Sequence, residues 1–337
     1  MTSIRIVSPG FPETPGGVTD HTARLRRHWK DAGHEVQVLG TRDEEPAAIA
    51  ARWRDEGAEA VLIQYVPFLY GRRGVSRFPE RVARAARELG LHTSLFVHET
   101  WVPPTRVPWL VLGPIQKRQL RRLLGAVDGV VTAVPAWAAA LGHRAQVVRV
   151  GSNLGEPLSQ LPTQPPLTAP VVFSPFAAGL EWRWIVAAVE AIGATPPLIV
   201  IGADEQEVRD HHVVGRWWRA EWSCRGRLPA EEVLPLLSRA PLVLAPFGDG
   251  LTGRRTSAMA AMSAGAQVLS SVGPLFDPLF DDSPVALART AEEFVERARR
   301  IWSDPDSHSH RDERLEWHHA HLEPKTLDAR LLDLVAP

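Results

Sequence analysis

Two adjacent arginines, Arg254 and Arg255, follow a glycine-rich stretch and come directly before an Ala/Met-rich segment. The surrounding sequence, FGDGLTGRRTSAMAAMSAG, reads as a strand end, a loop and a helix. Guanidinium groups bind phosphate oxygens in pairs, and a helix N-terminus adds N–H groups and a positive dipole end. The pattern predicts a diphosphate cradle whose helix is capped by Thr256 or Ser257. The alternative is that the arginines only stabilise the loop.

Other candidate functional residues lie at the ends of predicted strands. Asp249, in the same glycine-rich loop, has the chemistry to accept a hydrogen bond from a sugar or ribose hydroxyl. His98 and Glu99 end the strand SLFVH, where a titratable pair in a parallel sheet points toward a ligand site. Gly16 and Gly17 lie between the first strand and the first helix, where the backbone can approach an anion. The alternatives are a histidine that satisfies a backbone carbonyl and a tight strand–helix turn.

The elements that must position these residues alternate between strand and helix along the chain. Such alternation predicts parallel sheets with helices on both faces, an α/β fold of two doubly wound Rossmann-like domains. We expect an N-terminal domain over 1–154, a Pro-rich linker over 155–170 and a C-terminal domain over 171–315. We expect a helical segment over 316–337, and one option is that it packs against the N-terminal domain. Because ligands bind beyond the carboxyl ends of parallel strands, we expect the site in a cleft between the two domains.

Composition narrows the functional classes. The chain has 337 residues, 45% of them hydrophobic and 23% charged, which is typical of a globular protein. One cysteine, Cys224, excludes a disulfide framework and favours a cytoplasmic location. Residues 1–150 hold 21 basic and 14 acidic residues, a net charge of +7, against 17 and 25 in the remainder, a net of -8. The basic charge of the N-terminal half predicts that it binds an anionic surface or an anionic ligand. The alternative is that these basic side chains form a solvated face.

Two basic segments, 72–90 and 116–125, suggest a peripheral membrane contact at the inner membrane face. A phosphorylated soluble acceptor and a plain protein surface are the alternatives. We expect no nucleic-acid partner, because the chain is near neutral and shows no recognised module. The histidine-rich stretch 308–322 is expected to be a helical surface rather than a metal site, and Asp281-Asp282 to be solvated.

Five stretches in this order resemble the retaining glycosyltransferases of family 4, which have the GT-B fold. They are PGGVTDHTARL near the start, FVHETWVPP, VVRVGSN, RGRLPAEEVLPLLSRA, and DGLTGRRTSAMAAMSAGAQVLSS. The resemblance covers nearly the whole chain. It implies that the C-terminal domain binds a nucleotide diphosphate sugar, that the N-terminal domain binds the acceptor, and that no metal or further cofactor is needed.

The resemblance, together with the chemistry and positions of the residues, predicts roles for particular positions. The catalytic residues would be His98, Glu99 and Arg255. The donor would be bound by Gly16, Gly17, Arg227, Leu228, Asp249, Gly250, Thr252, Arg254, Arg255, Thr256 and Ser257. The acceptor would be bound by Asp20, His21 and Trp101, the last as a sugar platform.

The chain departs from the family pattern at three positions. Thr252 and Ala260 stand where the family has the two glutamates of an E-x7-E motif, and the turn 176–179 lacks the usual basic residue. The leading hypothesis is a glycosyltransferase that acts on a glycan, lipid-linked or small-molecule acceptor. The alternatives are a GT-B protein that binds a nucleotide, glycan or partner without turnover, and a bilobed ligand-binding protein.

Overall fold

The computed structural model describes residues 1–104, 106–142, 144–155, 164–304 and 309–336. The chain forms two compact units, the first comprising Met1–Arg149 with Lys325–Pro337 and the second Val150–Pro324. The second unit thus begins at Val150, ahead of the predicted linker 155–170. Residues 156–163 of that linker lie outside the described part of the chain.

A parallel six-stranded sheet forms the centre of the first unit, with strand order β2-β1-β3-β4-β5-β6. Its strands are β1 (Ser3–Val7), β2 (Glu35–Leu39), β3 (Ala60–Tyr65), β4 (His92–Val97), β5 (Gly129–Thr132) and β6 (Ala145–Val147). β1 and β3 are buried along their whole length because helices cover both faces of the sheet. Arg5 within β1 is buried as well, and it forms ion pairs with Glu35 (3.4 Å) and Glu56 (3.3 Å).

Five helices follow these strands in the first half of the chain. They are α1 (Gly17–Asp31), α2 (Pro46–Asp55), α3 (Phe78–Glu88), α4 (Val107–Leu124) and α5 (Pro135–Leu141). Helix α1 begins at Gly17 with Gly16 at the N-cap position, so neither Thr19 nor Asp20 is its N-cap. The hydroxyl of Thr19 donates instead to the carbonyl of Thr14 (2.6 Å).

The second unit repeats the architecture with strand order β12-β11-β10-β7-β8-β9, again all parallel. Its strands are β7 (Val171–Phe173), β8 (Ile199–Ile201), β9 (Ser223–Cys224), β10 (Val243–Ala245), β11 (Val268–Ser271) and β12 (Ala286–Ala288). Its helices are α6 (Trp182–Ile192), α7 (Glu205–Asp210), α8 (Ala230–Ser238), α9 (Thr256–Ser263), α10 (Ala291–Ser303) and α11 (Arg311–Leu322). Alternate residues of the strands feed two cores: Val171 and Val243 belong to one, Val172 and Leu244 to the other.

The last helix, α12 (Pro324–Val335), returns to the first unit. The predicted segment 316–337 is therefore divided: α11 belongs to the second unit and α12 to the first. Arg24 of α1 forms a bidentate ion pair with Asp328 (2.8 and 2.9 Å), and both side chains are 2% exposed. His28 Nδ1 lies 2.7 Å from the same carboxylate, and the indole N–H of Trp29 donates to the Asp328 carbonyl (2.9 Å). These contacts fix α12 against α1.

Candidate functional site

The glycine-rich loop after β10 is held on three sides by other loops of the second unit. The N–H of Gly248 donates to the carbonyl of Gly179 (2.8 Å), which joins it to the turn after β7. The N–H of Leu251 donates to Ser271 at the end of β11 (2.9 Å), and the carbonyl of Asp249 accepts from Leu275 (2.8 Å). The loop therefore lies at the carboxyl edge of the parallel sheet, the edge at which ligands bind in this architecture.

Asp249 sits between the two arginines of this loop. Its Oδ2 accepts from Arg254 Nη2 at 2.6 Å, and its Oδ1 accepts from Arg255 Nη2. A carboxylate therefore occupies the position between the guanidiniums that the sequence predicts for a phosphate.

The two arginines differ in how deeply they are engaged. Arg255 is 7% exposed; its Nη1 donates to the carbonyl of Ala178 (2.6 Å), and its Cζ lies 4.3 Å from the centre of the Phe247 ring. The side chain of Arg254 is 16% exposed and is the more open of the two. Arg255 therefore links the loop to the turn after β7 through its hydrogen bonds, whereas Arg254 is the more accessible to a ligand.

Helix α9 starts immediately after the arginines, at Thr256. The expectation that Thr256 or Ser257 caps it is wrong, because Arg255 holds the N-cap position and no side chain caps the helix. Both hydroxyl residues are half-buried in its first turn. The positive end of the α9 dipole nevertheless lies beside the Arg254–Asp249 pair, as an anion site requires.

Gly250 and Thr252 lie inside the loop. Gly250 has φ 94°, and a Cβ there would come within 2.6 Å of the Gly273 nitrogen. Thr252 is fully buried, and its hydroxyl has no hydrogen-bond partner among the described residues. These two predicted donor residues shape the loop rather than line its surface.

The neighbouring loops, after β7, β8 and β9, form the rest of this edge. Ser174, at the end of β7, has φ 58°, an unusual value for a residue with a side chain. The N–H of Gly202 donates to the carbonyl of Gly226 (2.8 Å), so the loops after β8 and β9 are joined. Arg227 is exposed and pairs with Glu207 (2.6 Å), and Leu228 packs against the core.

A stacked aromatic pair at this edge was not predicted from the sequence. The rings of Phe176 and His211 lie 4.4 Å apart and nearly parallel, with an interplanar angle of 15°. Phe176 belongs to the turn after β7, and His211 directly follows α7. The sequence of residues 204–222, which contain His211, shows no periodicity of apolar residues from which a helix or strand could be predicted. The contact between His211 and Phe176 therefore becomes visible only in the tertiary structure.

In the first unit, His98 is part of a buried cluster at the carboxyl ends of β3 and β4. Its Nε2–H donates to Gln64 Oε1 at 2.5 Å, and its ring stacks on Phe96 with centres 4.4 Å apart. The His21 ring meets it edge-on at 5.3 Å. Burial, with the positive charge of Arg24, holds the pKa of His21 well below its usual range, so His21 is neutral. The structure thus brings two predicted residues, His98 and His21, together.

The remaining predicted residues of the first unit are more dispersed. Glu99 is half-buried directly after His98, and Asp20 is exposed in the first turn of α1. Gly16 and Gly17 are exposed at the start of that helix. The ring of Trp101 packs on the core and has Lys117 Nζ 5.0 Å from its centre, so one ring face is covered by a cation. That cover weakens the expectation of a sugar platform.

Among the described residues there is neither a cluster of metal-ligating side chains nor a helix that could span a membrane. No group of three or more His, Cys, Asp or Glu side chains there is arranged to hold a metal ion. No described helix combines the length and apolar character needed to cross a bilayer. In the histidine-rich stretch, His308 lies outside the described residues. His318 is fully buried, and neither of its ring nitrogens has a hydrogen-bond partner among the residues that the structure describes.

Comparison with known proteins gives a fold but no sequence family. No protein-family model matches the chain, and no curated protein does. Solved structures match over almost the full length. AviGT4, a glycosyltransferase involved in avilamycin A biosynthesis, is 18% identical with a TM-score of 0.61, covering 99% of this chain and 97% of its own. WaaG, a glycosyltransferase involved in lipopolysaccharide biosynthesis, is 12% identical with a TM-score of 0.67, covering 98% and 99%.

A third match is an alpha-glucosyltransferase in complex with UDP and a 13-mer DNA, at 11% identity and a TM-score of 0.64, covering 98% of each chain. At such low sequence identity, these similarities are evidence for the fold alone. Together with the two parallel sheets, they show that the chain has the GT-B fold of glycosyltransferases.

Proposed function

We propose that the chain is a glycosyltransferase that moves a sugar from a nucleotide diphosphate sugar to a glycan, lipid-linked or small-molecule acceptor. We propose that it retains anomeric configuration, needs no metal ion and works in the cytoplasm. The observation that carries the proposal is the Arg254–Asp249 pair at the start of α9, at the carboxyl edge of the second sheet. The glycosyltransferases that share the fold support it, and one of them was solved with UDP.

In this proposal Arg254 binds the diphosphate, and Arg255 positions the loop. When a diphosphate binds, Arg254 Nη2 exchanges the Asp249 carboxylate for a phosphate oxygen, so that one charge-assisted hydrogen bond replaces another. Arg255 keeps its bond to the Ala178 carbonyl and holds the loop in place. The guanidinium and the α9 dipole then stabilise negative charge as the diphosphate departs, the role that a metal ion plays elsewhere.

The nucleoside is assigned to the loops after β7, β8 and β9. The Phe176–His211 stack offers an aromatic surface for a base, since base–aromatic stacking tolerates any base. Arg227, which is exposed beside Gly226 and paired with Glu207, is assigned a polar contact to the nucleoside. On the first unit, the carboxylates of Asp20, which is exposed, and Glu99, which is half-buried, are assigned to acceptor hydroxyls. His98, held by Gln64, is assigned to the transferred sugar.

The test is calorimetric titration of UDP, GDP, ADP, dTDP and CDP and of their sugars. We expect one nucleotide to bind and Arg254→Ala to weaken its binding. In turnover of the matching sugar donor, Arg254→Ala is expected to cost about 10²–10³-fold, the usual effect of removing one preorganised donor. The matched control is Arg289→Ala, an exposed arginine elsewhere in the second unit.

Two outcomes would contradict this assignment. If Arg254→Ala binds every nucleotide like the wild type, the diphosphate lies elsewhere. If a nucleotide binds but its sugars are neither hydrolysed nor transferred, the chain is a binding protein with a glycosyltransferase fold. Thr252 and Ala260, in place of the two glutamates of the family pattern, would then be the residues to examine.

A further inference from the structure

Helix α4 carries apolar side chains on its solvent side. Val107, Leu110, Val111 and Ile115 are 80, 55, 67 and 45% exposed. Their spacing of three and four residues places them on one face of the helix. Scattered exposed apolar residues are ordinary, but a stripe of four on one helix is not.

Two more exposed apolar residues lie on the segment packed beside α4. Phe68 and Val75 are each 44% exposed. The segment is joined to the helix by Gln116 Nε2, which donates to the carbonyl of Arg73 (3.2 Å), and by the N–H of Ser76, which donates to Gln119 Oε1 (2.6 Å). We call residues 67–77 and 106–122 together the α4 face. It holds six of the eight large apolar side chains that are exposed in the described part of the chain.

Buried amides fix the orientation of α4. Gln116 and Gln119 point inward, where Gln116 Oε1 accepts from the N–H of Val102 (2.9 Å) and Gln119 Nε2 donates to the Tyr65 hydroxyl (3.2 Å). Gly113 also faces inward, and a Cβ there would lie 2.7 Å from the Val102 carbonyl. Rotating the helix to bury its apolar stripe would break these bonds and expose buried backbone partners. The apolar stripe is therefore held outward by the fold.

The α4 face is strongly basic as well as apolar. Residues 60–79 and 100–127 contain no aspartate or glutamate. Within the α4 face all eight basic side chains are exposed, and they are Arg72, Arg73, Arg77, Arg106, Lys117, Arg118, Arg121 and Arg122. Arg106 lies over the half-buried Trp109 ring, with its Cζ 4.8 Å from the ring centre. Aliphatic residues, an aromatic ring and surrounding cations are the composition of a helix that lies in a membrane interface.

We propose that the α4 face docks on the surface of a bilayer that contains anionic lipid. The basic side chains meet the headgroups, and Val107, Leu110 and Val111 enter the acyl boundary. A second copy of the chain fits less well, because a two-fold contact would place the same cations against each other. A nucleic acid would satisfy the cations and leave the aliphatic side chains in water. This inference concerns a surface of the first unit and does not depend on the proposed reaction.

Vesicle flotation of the full chain, without any nucleotide or acceptor, tests the proposal. We expect binding to vesicles of phosphatidylcholine mixed with phosphatidylglycerol and much weaker binding to phosphatidylcholine alone. Arg118→Gln with Arg122→Gln should weaken binding about 25-fold, since each cation near an anionic surface contributes about fivefold. The matched control is Arg299→Gln with Arg300→Gln, an exposed pair on α10, which should bind like the wild type.

The apolar half of the proposal needs its own variant. Leu110→Gln with Val111→Gln keeps every charge and uses a good helix former, and it should weaken binding at least about tenfold. Val213→Gln, an exposed valine of the second unit, should have no effect. Unchanged thermal midpoints would show that the variants are folded.

Three results would overturn the proposal. The first is equal flotation with neutral and anionic vesicles, or none with either. The second is loss of binding in the arginine variant alone, with DNA competing as well as vesicles do, which would indicate a polyanion site. The third is a dimer of the wild type that becomes monomeric in Leu110→Gln with Val111→Gln, which would indicate contact between copies.

Discussion

A single buried histidine gives the second unit a dependence on pH. His318 of α11 is fully buried, neither ring nitrogen has a partner in the described part of the chain, and burial lowers its pKa to about 4. The unfolded chain binds a proton at this residue near its ordinary value of 6.5, whereas the folded chain does not. Stability is therefore lost as the pH falls from about 6.5 toward 4. The same argument holds for His21 in the first unit.

We expect His318→Leu to be less sensitive to acid than the wild type. At pH 5 the wild type loses about 2 kcal/mol through His318 relative to neutral pH, and the variant loses none of it. Urea unfolding at pH 7.5 and pH 5 measures the difference. His319→Leu is the matched control, because that neighbouring side chain is 72% exposed. An equal acid response of His318→Leu and wild type would show that His318 is not neutral in the folded protein.

The two arginines of the loop after β10 should respond differently to substitution. Arg255→Ala removes charge-assisted hydrogen bonds to Ala178 and Asp249 from a largely buried position and should destabilise the second unit by about 2 kcal/mol. Arg254→Ala, at the more open position, removes the hydrogen bond to Asp249 and should cost less, about 1 kcal/mol, and it should weaken nucleotide binding. Thermal unfolding and calorimetric titration of both variants measure this division. Equal destabilisation by the two would contradict it.

At the scale of the element, the loop after β10 depends on its glycines. Gly250 has both a positive φ and the Gly273 backbone where a Cβ would stand, and backbone atoms cannot swing aside. Gly193, the C-cap of α6, also has a positive φ, of 69°, but open space around it. Alanine substitutions at these two glycines therefore separate two free-energy costs: that of an unfavourable φ, which both share, and that of displacing the loop, which only Gly250 has.

Gly250→Ala is therefore expected to displace the loop and reduce nucleotide affinity at least about tenfold, a free-energy change of about 1.4 kcal/mol. Gly193→Ala should destabilise the fold by about 1 kcal/mol for its left-handed φ and leave affinity unchanged. Calorimetric titration of the two variants with the nucleotide identified for the wild type is the measurement. Unchanged affinity in Gly250→Ala would place the ligand away from this loop.

Sequence patterns predicted most strands of both sheets but were weaker for helices with irregular surroundings. Runs such as AVLIQY and GVVT are apolar on both faces because parallel strands are covered on both sides. β12 has only three residues, Ala286–Ala288, and gave no signal. α4 escaped notice because its pattern is inverted: the buried positions include Gln116 and Gln119, and the exposed ones are aliphatic.

The sequence predicted that a loop leads into a helix at this point better than it predicted how the loop is folded. The Gly-rich sequence correctly pointed to a loop and a helix start near Arg254. It did not reveal that Asp249 accepts from both arginines, because that contact depends on how the loop is folded. It also gave no hint that Gln64 would meet His98 or that Phe176 would stack on His211, since these partners are 34 and 35 residues apart and meet only across strands and loops.

At the scale of the whole molecule, the buried ion pair between α1 and α12 makes the first unit sensitive to the loss of either partner. Asp328→Asn would leave the guanidinium of Arg24, 2% exposed, without its carboxylate partner. Removing one partner of such a pair typically costs about 3–5 kcal/mol. We expect the first unit to unfold at a lower temperature and the second, which has cores of its own, to be unaffected.

Differential scanning calorimetry of Asp328→Asn measures this expectation. Asp333→Asn, an exposed carboxylate on the same helix, is the matched control and should unfold like the wild type. A uniform shift of the entire transition would mean that the two units unfold as one. No shift at all would mean that α12 contributes little to the first unit.

The return of α12 to the first unit also sets an order of completion during synthesis. The second unit is one continuous stretch, Val150–Pro324, whereas the first needs residues from both ends of the chain. Once residues up to Pro324 have left the ribosome, the whole sequence of the second unit is free to fold. At that stage Asp328, the ion-pair partner of Arg24 in the first unit, has not yet emerged. The half that is translated first is thus the last to be finished. Chains truncated after Pro324 and released from the ribosome should yield a protease-resistant second unit and a first unit that is still cleaved.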